Sequence, residues 1–182
     1  MTESLLAQLR DLWRGRRAEV DEQFNRTLPV GDYIVDRWEK AKLLGFGEGA
    51  SIYDSALVIG DVQVGGHSWI GPGVILDGSG GLRIGSYCSI SAGVQIYSHD
   101  SIAWAVSGGK AAYDYAPTVI GDRCYIGPNS VIAKGVNIGD GAVIGAGSVV
   151  LSDIGAGTKA AGAPCRVIGA VAQDSGSAER EG

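Results

Sequence analysis

The two histidines of this sequence are the side chains best suited to moving a proton near neutral pH. His99 lies in the segment from Gly93 to Gly121, where a regular sequence pattern stops, and Asp100 follows it directly. His67 lies inside the pattern, in the stretch VGGHSWIG, and is predicted to be a surface residue. Because an isolated histidine in a polar loop is more often solvated than catalytic, the elements around His99 must decide its role.

The three cysteines offer a second kind of chemistry, which their spacing disfavours. Cys88 and Cys124 occupy positions that the pattern reserves for small inward residues, and Cys165 stands in the stretch APCRV. A buried thiol behaves as a small apolar side chain, so we predict no nucleophilic cysteine. Two histidines do not supply the three distinct histidine ligands of a zinc site such as that of carbonic anhydrase, and we predict no metal site.

The pattern around these residues repeats every six positions. A large aliphatic residue begins each unit, glycine usually follows it, and a small or β-branched residue stands four places after it. The aliphatic positions are Ile52, Val58, Val64, Ile70, Leu76, Ile84, Ile90, Ile96, Ile120, Ile126, Ile132, Ile138, Ile144 and Val150. A period of six is neither that of a helix nor that of a single strand, and it predicts short strands that alternate with corners.

The repeated units resemble those of the hexapeptide-repeat acyltransferases. The stretch IGDRCYIGPNSVIAKGVNIGDGAVIGAGSVV, followed by AGAPCRVIG, is similar to the closing segment of sugar and xenobiotic O-acetyltransferases. The resemblance runs from Ile52 to Ile168 and implies a mainly β fold, a left-handed parallel β-helix of about five triangular coils. Residues 49–168 would form this domain, with an extruded loop near 97–119.

Three hexapeptides per coil, as the resemblance implies, determine which corners stack. The step from Leu76 to Ile84 is eight residues and the step from Ile96 to Ile120 is 24, so both contain insertions. With these allowed for, one column of inward residues comprises Val58, Leu76, Ile96, Ile132 and Val150. The corners that follow them would gather at one edge of the prism Asp77, His99, Lys134 and Ser152.

The resemblance also implies an activity, which is transfer of an acetyl group from acetyl-CoA to a sugar hydroxyl. The acceptor would be a molecule such as a polysaccharide or lipopolysaccharide precursor, and His99 matches the loop histidine that acts as general base in direct transfer. Two alternatives stay open: an N-acetyltransferase of a nucleotide-linked amino sugar, and a non-catalytic structural or binding solenoid. Apart from acetyl-CoA as a co-substrate, we expect no cofactor.

Further site residues follow from the same resemblance. The residues expected to bind acyl-CoA are Tyr125, Gly127, Ala146, Ser148, Ser152 and Arg166, and Lys159 is added on composition alone, as a second cation for the phosphates. The residues expected at the acceptor are Asp77, Tyr97, Asp100 and Trp104. Two of these carboxylates have a second reading, since Asp77 could serve only a turn, and Asp100 could either orient His99 or begin a turn. Many relatives have Thr-Lys where this chain has Leu151 and Ser152, which removes one expected contact with CoA.

The remaining segments indicate the setting of the domain. Two groups of apolar residues with helical spacing predict a helical cap over residues 1–48. The first group is Leu5, Leu6, Leu9, Leu12 and Trp13, and the second is Ile34, Trp38, Ala41 and Leu44, with Gly45 as a C-cap. Residues 169–182 are predicted to be a partly disordered tail.

The charge and hydropathy of the chain limit its partners. A formal net charge of −5 without a basic stripe disfavours nucleic acid as a partner. There is no long apolar run and the N-terminus is charged throughout, which predicts a cytoplasmic protein without a membrane span. By resemblance we expect a homotrimer with active sites between subunits. The loop aromatics Trp104, Tyr113 and Tyr115 would then pack on a neighbour or line the acceptor pocket.

Overall fold

The computed structural model describes residues 4–172. Four helices are present in this part: α1 (Leu5–Phe24), α2 (Val30–Ile34), α3 (Arg37–Leu43) and α4 (Ile102–Val106). The strands are β1 (Ser51–Ile52), β2 (Leu57–Val64), β3 (Trp69–Ile70), β4 (Ile75–Ile84), β5 (Ser89–Ile90), β6 (Gln95–Ile96), β7 (His99–Asp100), β8 (Asp114–Tyr115), β9 (Thr118–Ile120), β10 (Tyr125–Ile126), β11 (Val131–Ile132), β12 (Asn137–Ile138), β13 (Val143–Ile144), β14 (Val149–Val150), β15 (Thr158–Ala161) and β16 (Arg166–Ala170).

The six-residue period folds into stacked, three-sided coils of parallel strands, which confirms the predicted β-solenoid. The first face stacks six parallel strands, from β1 through β3, β5, β10 and β13 to β15, so the solenoid has about six turns, one more than predicted. Strands β2 and β4 bend around a corner and therefore belong to both other faces.

The predicted register is confirmed on the second face. Val58 pairs with Leu76, Leu76 with Ile96, Ile96 with Ile132, and Ile132 with Val150. The two-residue insertion appears in β4 opposite a register shift of β2 between Gly60 and Val62. The corners that follow this column therefore lie above one another at one edge of the prism, as the hexapeptide spacing predicts.

The core is a column of aliphatic side chains inside the prism. Ile52, Ile70, Ile90, Ile126 and Ile144 have no exposed surface, and the cysteines are buried and free. The small residues fill the space beside each bend, where Ser68 donates a hydrogen bond to the Gly85 carbonyl and accepts one from the Cys88 amide. Burial of apolar area on all three inner faces is the main stabilising contribution of such a fold.

The glycines that follow the aliphatic residues are needed because the next coil approaches them closely, and a second set of glycines supplies left-handed backbone at corners. Gly73, Gly93 and Gly147 have φ of 66°, 68° and 66° at equivalent corners, and Asn129 takes the same conformation at 57°. Only glycine adopts it without steric cost, and asparagine tolerates it better than most residues. The amides of Gly93, Asn129 and Gly147 donate to carbonyls of the previous coil, whereas that of Gly73 donates to the hydroxyl of Ser55.

The N-terminal helices differ in part from the prediction. The second predicted helix is split in two because Asp36 caps the first turn of α3, accepting hydrogen bonds from the amides of Trp38 and Glu39. Gly45 follows α3 with φ of 73°, in agreement with its predicted role as a C-cap.

Only part of the helical segment covers the solenoid. Helix α3 packs against β1, whereas α1 buries none of its residues. Covering the first coil therefore falls to α3 rather than to both predicted helices. No helix in residues 4–172 has the length and apolar character needed to cross a membrane. At the other end β16 runs to Ala170, so the predicted tail begins as a strand, and its residues 173–182 lie outside the described residues.

Candidate active site

The corner after Ile96 leaves the coil as an arm, residues 97–117, that carries His99. Strands β7 and β8 form an antiparallel hairpin in which His99 pairs with Tyr115 and Asp100 with Asp114, and α4 lies between them. At the base of the arm Thr118 Oγ1 donates to the Tyr97 carbonyl at 2.7 Å, and the Ala116 amide donates to the Ser98 carbonyl at 2.9 Å. Because side chains alternate along a strand, His99 and Tyr115 lie on one face of the arm and Asp100 and Asp114 on the other.

The imidazole of His99 is hydrogen-bonded to a buried carboxylate. Its Nδ1 contacts Oδ2 of Asp77, which lies at the corner of the preceding coil. The Asp77 side chain is 1% exposed and that of His99 31% exposed, so the pair joins a buried acid to an accessible ring. A carboxylate accepts only from a protonated nitrogen, so Nδ1 carries the hydrogen and the lone pair of Nε2 is left for chemistry.

Asp77 is held as a carboxylate by its neighbours. It accepts hydrogen bonds from the Ser79 amide at 3.0 Å, the Ser79 hydroxyl at 2.5 Å and the Ser98 amide at 3.3 Å. Burial by itself would raise the pKa of Asp77, but the hydrogen bonds from Ser79, His99 and Ser98 outweigh it and lower the pKa below its ordinary value. The carboxylate is therefore charged at neutral pH and can stabilise a protonated His99.

Both aspartates expected at the acceptor have other partners. Asp77 is too buried to present its carboxylate to an acceptor, and it orients His99 instead. Asp100 accepts from the Ile102 amide at 3.0 Å and pairs with Lys134 at 3.1 Å, so of its two readings the structure favours the turn. The sequence contains a signal for the role of Asp77 beside His99, since Asp77 replaces the usual glycine after Leu76 in the column that leads to His99.

Aromatic side chains of the arm surround the exposed part of His99. The rings of Tyr115 and Tyr113 lie nearly parallel to the imidazole, with centroids 5.8 and 6.2 Å away. Trp104 meets Tyr113 edge to face at 5.8 Å. Tyr97 stands apart from this group and donates its hydroxyl to Gln95 Oε1 at 2.8 Å. The predicted acceptor residue Trp104 thus lies close to His99 through Tyr113.

The residues predicted to bind acyl-CoA do not form one cluster in the single chain. Tyr125 and Lys159 are exposed on the first face, in a single column with Val143 between them, and Arg166 is exposed on β16 beside Ala161. Gly127 lies under exposed Ala146 at the next corner, where an added methyl group would lie 2.5 Å from the Ala146 nitrogen. Ser152 is exposed two coils beyond His99 at the edge where the arm leaves.

Ser148, another residue predicted to bind acyl-CoA, has its side chain in the core. Its side chain is fully buried, its hydroxyl donates to the Gly145 carbonyl at 2.6 Å, and it accepts from the Gly162 amide at 3.2 Å. These bonds occupy the hydroxyl in holding one corner to the next. The residue fills the small inward position of its hexapeptide, which is the signal that assigns it to the core.

Comparison with known proteins agrees with the repeat and the fold. Residues 117–152 match the family model of the bacterial transferase hexapeptide, described as six repeats. Over 52 residues the chain is 46% identical to galactoside O-acetyltransferase of Escherichia coli, a match that covers 29% of this chain and 26% of that enzyme. The chain spans about a quarter of the length of this and the other leading acetyltransferase relatives.

Two solved structures share the architecture. One is a hexapeptide-repeat containing acetyltransferase from Vibrio cholerae complexed with acetyl coenzyme A, with a TM-score of 0.61, 22% identity and coverage of 95% of this chain and 94% of that one. The other is AntD, an N-acyltransferase from Bacillus cereus in complex with dTDP and 3-hydroxybutyryl-CoA, with a TM-score of 0.62, 23% identity and coverage of 69% and 71%. At these identities the likeness shows the fold. In its repeats and stacked coils the chain is therefore similar to hexapeptide-repeat acetyltransferases.

Proposed function

We propose that the protein transfers an acetyl group from acetyl-CoA to a hydroxyl group of a saccharide acceptor, with His99 as the general base. The observation that carries this proposal is the hydrogen bond between His99 Nδ1 and the buried carboxylate of Asp77. A solenoid that only binds or scaffolds has no need of a buried charge behind an accessible imidazole, because burying a carboxylate is costly unless it is used and paired.

In the proposed reaction the acceptor oxygen attacks the thioester carbonyl carbon while His99 Nε2 takes the hydroxyl proton. The carbonyl π electrons move to oxygen and give a tetrahedral oxyanion, which backbone amides at the corners would stabilise. Collapse of the oxyanion breaks the carbon–sulfur bond. The CoA thiolate leaves and receives the proton from His99, so the base is regenerated without an acyl-enzyme. Asp77 stabilises the imidazolium between these two steps.

The acyl donor is proposed to bind along the exposed corners and the first face. Lys159 and Arg166 are exposed cations near the C-terminal end of the coils and suit the phosphates of CoA. Three cavities of the described residues, one among the N-terminal helices and two along the coils, are not lined by His99, whose side chain is 31% exposed. We therefore propose that neighbouring copies in a homotrimer complete the site, in a protein of the cytoplasm.

The test is release of CoA thiol from acetyl-CoA over a panel of sugars, amino sugars and nucleotide-linked amino sugars. We expect His99→Ala to lower transfer by about 100-fold or more, because general-base catalysis contributes that much. His67→Ala is the matched control, since it removes the other histidine at a distant corner, and it should retain wild-type turnover. Equal turnover by wild type and His99→Ala would refute the assigned base.

The same panel separates the alternatives. A second candidate is acylation of the amine of a nucleotide-linked amino sugar, since a variant of AntD, which shares the fold, was solved in complex with dTDP-4-amino-4,6-dideoxyglucose and coenzyme A. The product is analysed by mass spectrometry before and after treatment with mild hydroxylamine. Loss of the acetyl group indicates an ester, and its retention indicates an amide, because only the ester is cleaved. Absence of thiol release with every acceptor, together with unchanged ligand-free structure in His99→Ala, would support the non-catalytic solenoid instead.

A further inference from the structure

The outer face of the arm carries two negative charges directly opposite each other. Asp100 and Asp114 are cross-strand partners in the β7–β8 hairpin, one residue away from the His99–Tyr115 pair on the other face. Like charges in this position destabilise a hairpin. A two-stranded hairpin of this size is only marginally stable by itself, so the arm needs a compensating interaction to hold His99 in place.

Lys134 supplies that interaction from the coil above. Its Nζ lies 3.1 Å from Asp100 Oδ2 and contacts Asp114 Oδ2, so one ammonium bridges both strands of the hairpin. The side chains of Lys134 and Asp100 are 19% and 30% exposed and that of Asp114 is 64% exposed, so the contact with Asp100 is the better shielded from solvent and salt. The hydrogen bond to Asp114, with a further one to Asp100, raises the pKa of Lys134 despite the opposing effect of burial, so the lysine is charged at neutral pH.

The arm is thereby fixed from two sides. The corner below contributes Asp77, which holds the imidazole on one face, and the corner above contributes Lys134, which holds the two aspartates on the other. All three corners follow the same aliphatic column, so their spacing is set by the stacking of the coils. The arm can therefore be rigid at His99 although α4 at its tip buries no residue.

We propose that Lys134, Asp100 and Asp114 form a charge clasp, and that Lys134 is a positioning residue that closes the arm and sets His99 for catalysis. The catalytic part of this inference rests on the proposed function, whereas closure of the arm does not. In this proposal Lys134 acts through Asp100 and Asp114 of the arm and not on the acceptor or the acyl donor. Displacement of a catalytic group by about 1 Å costs up to about 100-fold in rate, so a modest loosening is measurable.

The first experiment compares the wild type with Lys134→Met and Lys134→Arg. We expect Lys134→Met to lower kcat about tenfold while KM for acetyl-CoA stays within about twofold, because the base is misplaced but the donor site is intact. Hydrogen exchange without any substrate should become faster in peptides from the arm, residues 97–117, and stay unchanged in the coils. Lys134→Arg keeps the charge and should restore most of both properties.

The second experiment removes the repulsion that the clasp counters. In the background Asp100→Asn with Asp114→Asn, the hairpin carries no opposed charges, and asparagine at 100 can still accept from the Ile102 amide. Adding Lys134→Met to this background should change kcat and arm exchange by less than about twofold. If Lys134→Met alone fails to fold, the neutral triple variant should fold, and failure of both would overturn the clasp.

Other outcomes contradict the proposal in distinct ways. A large rise in KM for acetyl-CoA or for the acceptor, not suppressed in the neutral background, would make Lys134 a substrate-binding residue. Unchanged arm exchange in Lys134→Met would show that the clasp does not close the arm. If the wild type shows no transfer with any acceptor, the proposed function fails, and the exchange measurements still decide whether the clasp exists.

Discussion

Two corners of the solenoid begin alike and end differently. The corners after Ile96 and after Ile132 follow paired residues of one column, and both leave the second face at the same edge. After Ile132 the chain turns within Ala133, Lys134 and Gly135, whereas after Ile96 it extends into the arm and returns only at Thr118. The comparison shows that the coils bury apolar area, whereas the arm leaves most of its side chains exposed.

The largest expected effect tests this division through stability. Ile132 is fully buried in the coil and Ile102 is 66% exposed in the arm. Ile132→Ala should lower the free energy of unfolding by about 3 kcal/mol, because it removes buried methyl groups and leaves a cavity. Ile102→Ala should change it by less than about 0.5 kcal/mol. Urea unfolding followed by circular dichroism measures both, and similar losses in the two variants would contradict the comparison.

The next effect concerns the contact that joins the two regions. Asp77→Asn keeps the shape of the side chain but cannot hold an imidazolium by charge, so acetyl transfer should fall about 30-fold, equivalent to about 2 kcal/mol of transition-state stabilisation. Asp61→Asn makes the same change at an exposed residue of the neighbouring coil and is the matched control. Release of CoA thiol under saturating acetyl-CoA measures the effect. Full activity of Asp77→Asn would mean that the buried carboxylate serves only the fold.

The coils could be predicted from the sequence because their information is local and repeated. The aliphatic column from Val58 to Val150 was obtained by counting, and the pairing of strands follows it residue by residue. The burial of Cys88 and Cys124 followed in the same way from their place in the hexapeptide. A period is a strong signal because every unit must satisfy the same constraints of packing and backbone conformation.

The partners within the arm could be predicted only in part. Stacking brought Asp77, His99 and Lys134 to one edge, but it did not decide which carboxylate meets the imidazole. Asp100 is the neighbour of His99 in sequence, yet alternation along β7 sends its side chain to the opposite face, toward Lys134. The sequence shows no period in the arm, so the hairpin register that sets this alternation was not available from counting.

The smallest expected effect is the pH dependence of the Asp77 contribution to stability. The pKa of Asp77 in the folded chain lies below its ordinary value of 3.8, so the folded chain binds the carboxylate proton less readily than the unfolded chain does. The resulting stabilisation is fully present above the unfolded pKa and is lost as the pH falls through the folded pKa. The wild type should therefore be more stable than Asp77→Asn near pH 7, and the difference should shrink below about pH 4.

Measuring the free energy of unfolding between pH 7 and acid conditions with and without Asp77→Asn, both in a His99→Ala background, isolates this one carboxylate, because the imidazole that contacts it is then absent. Asp61→Asn again serves as the control, and its difference from the wild type should stay nearly constant because an exposed charge contributes little to folding. In that background, a difference for Asp77→Asn that is constant with pH, or that grows as the pH falls, would mean that the hydrogen bonds from Ser79 and Ser98 do not favour the charged form. Asp77 would then be a neutral hydrogen-bond partner of His99, and its charge would not help to hold the arm against the solenoid.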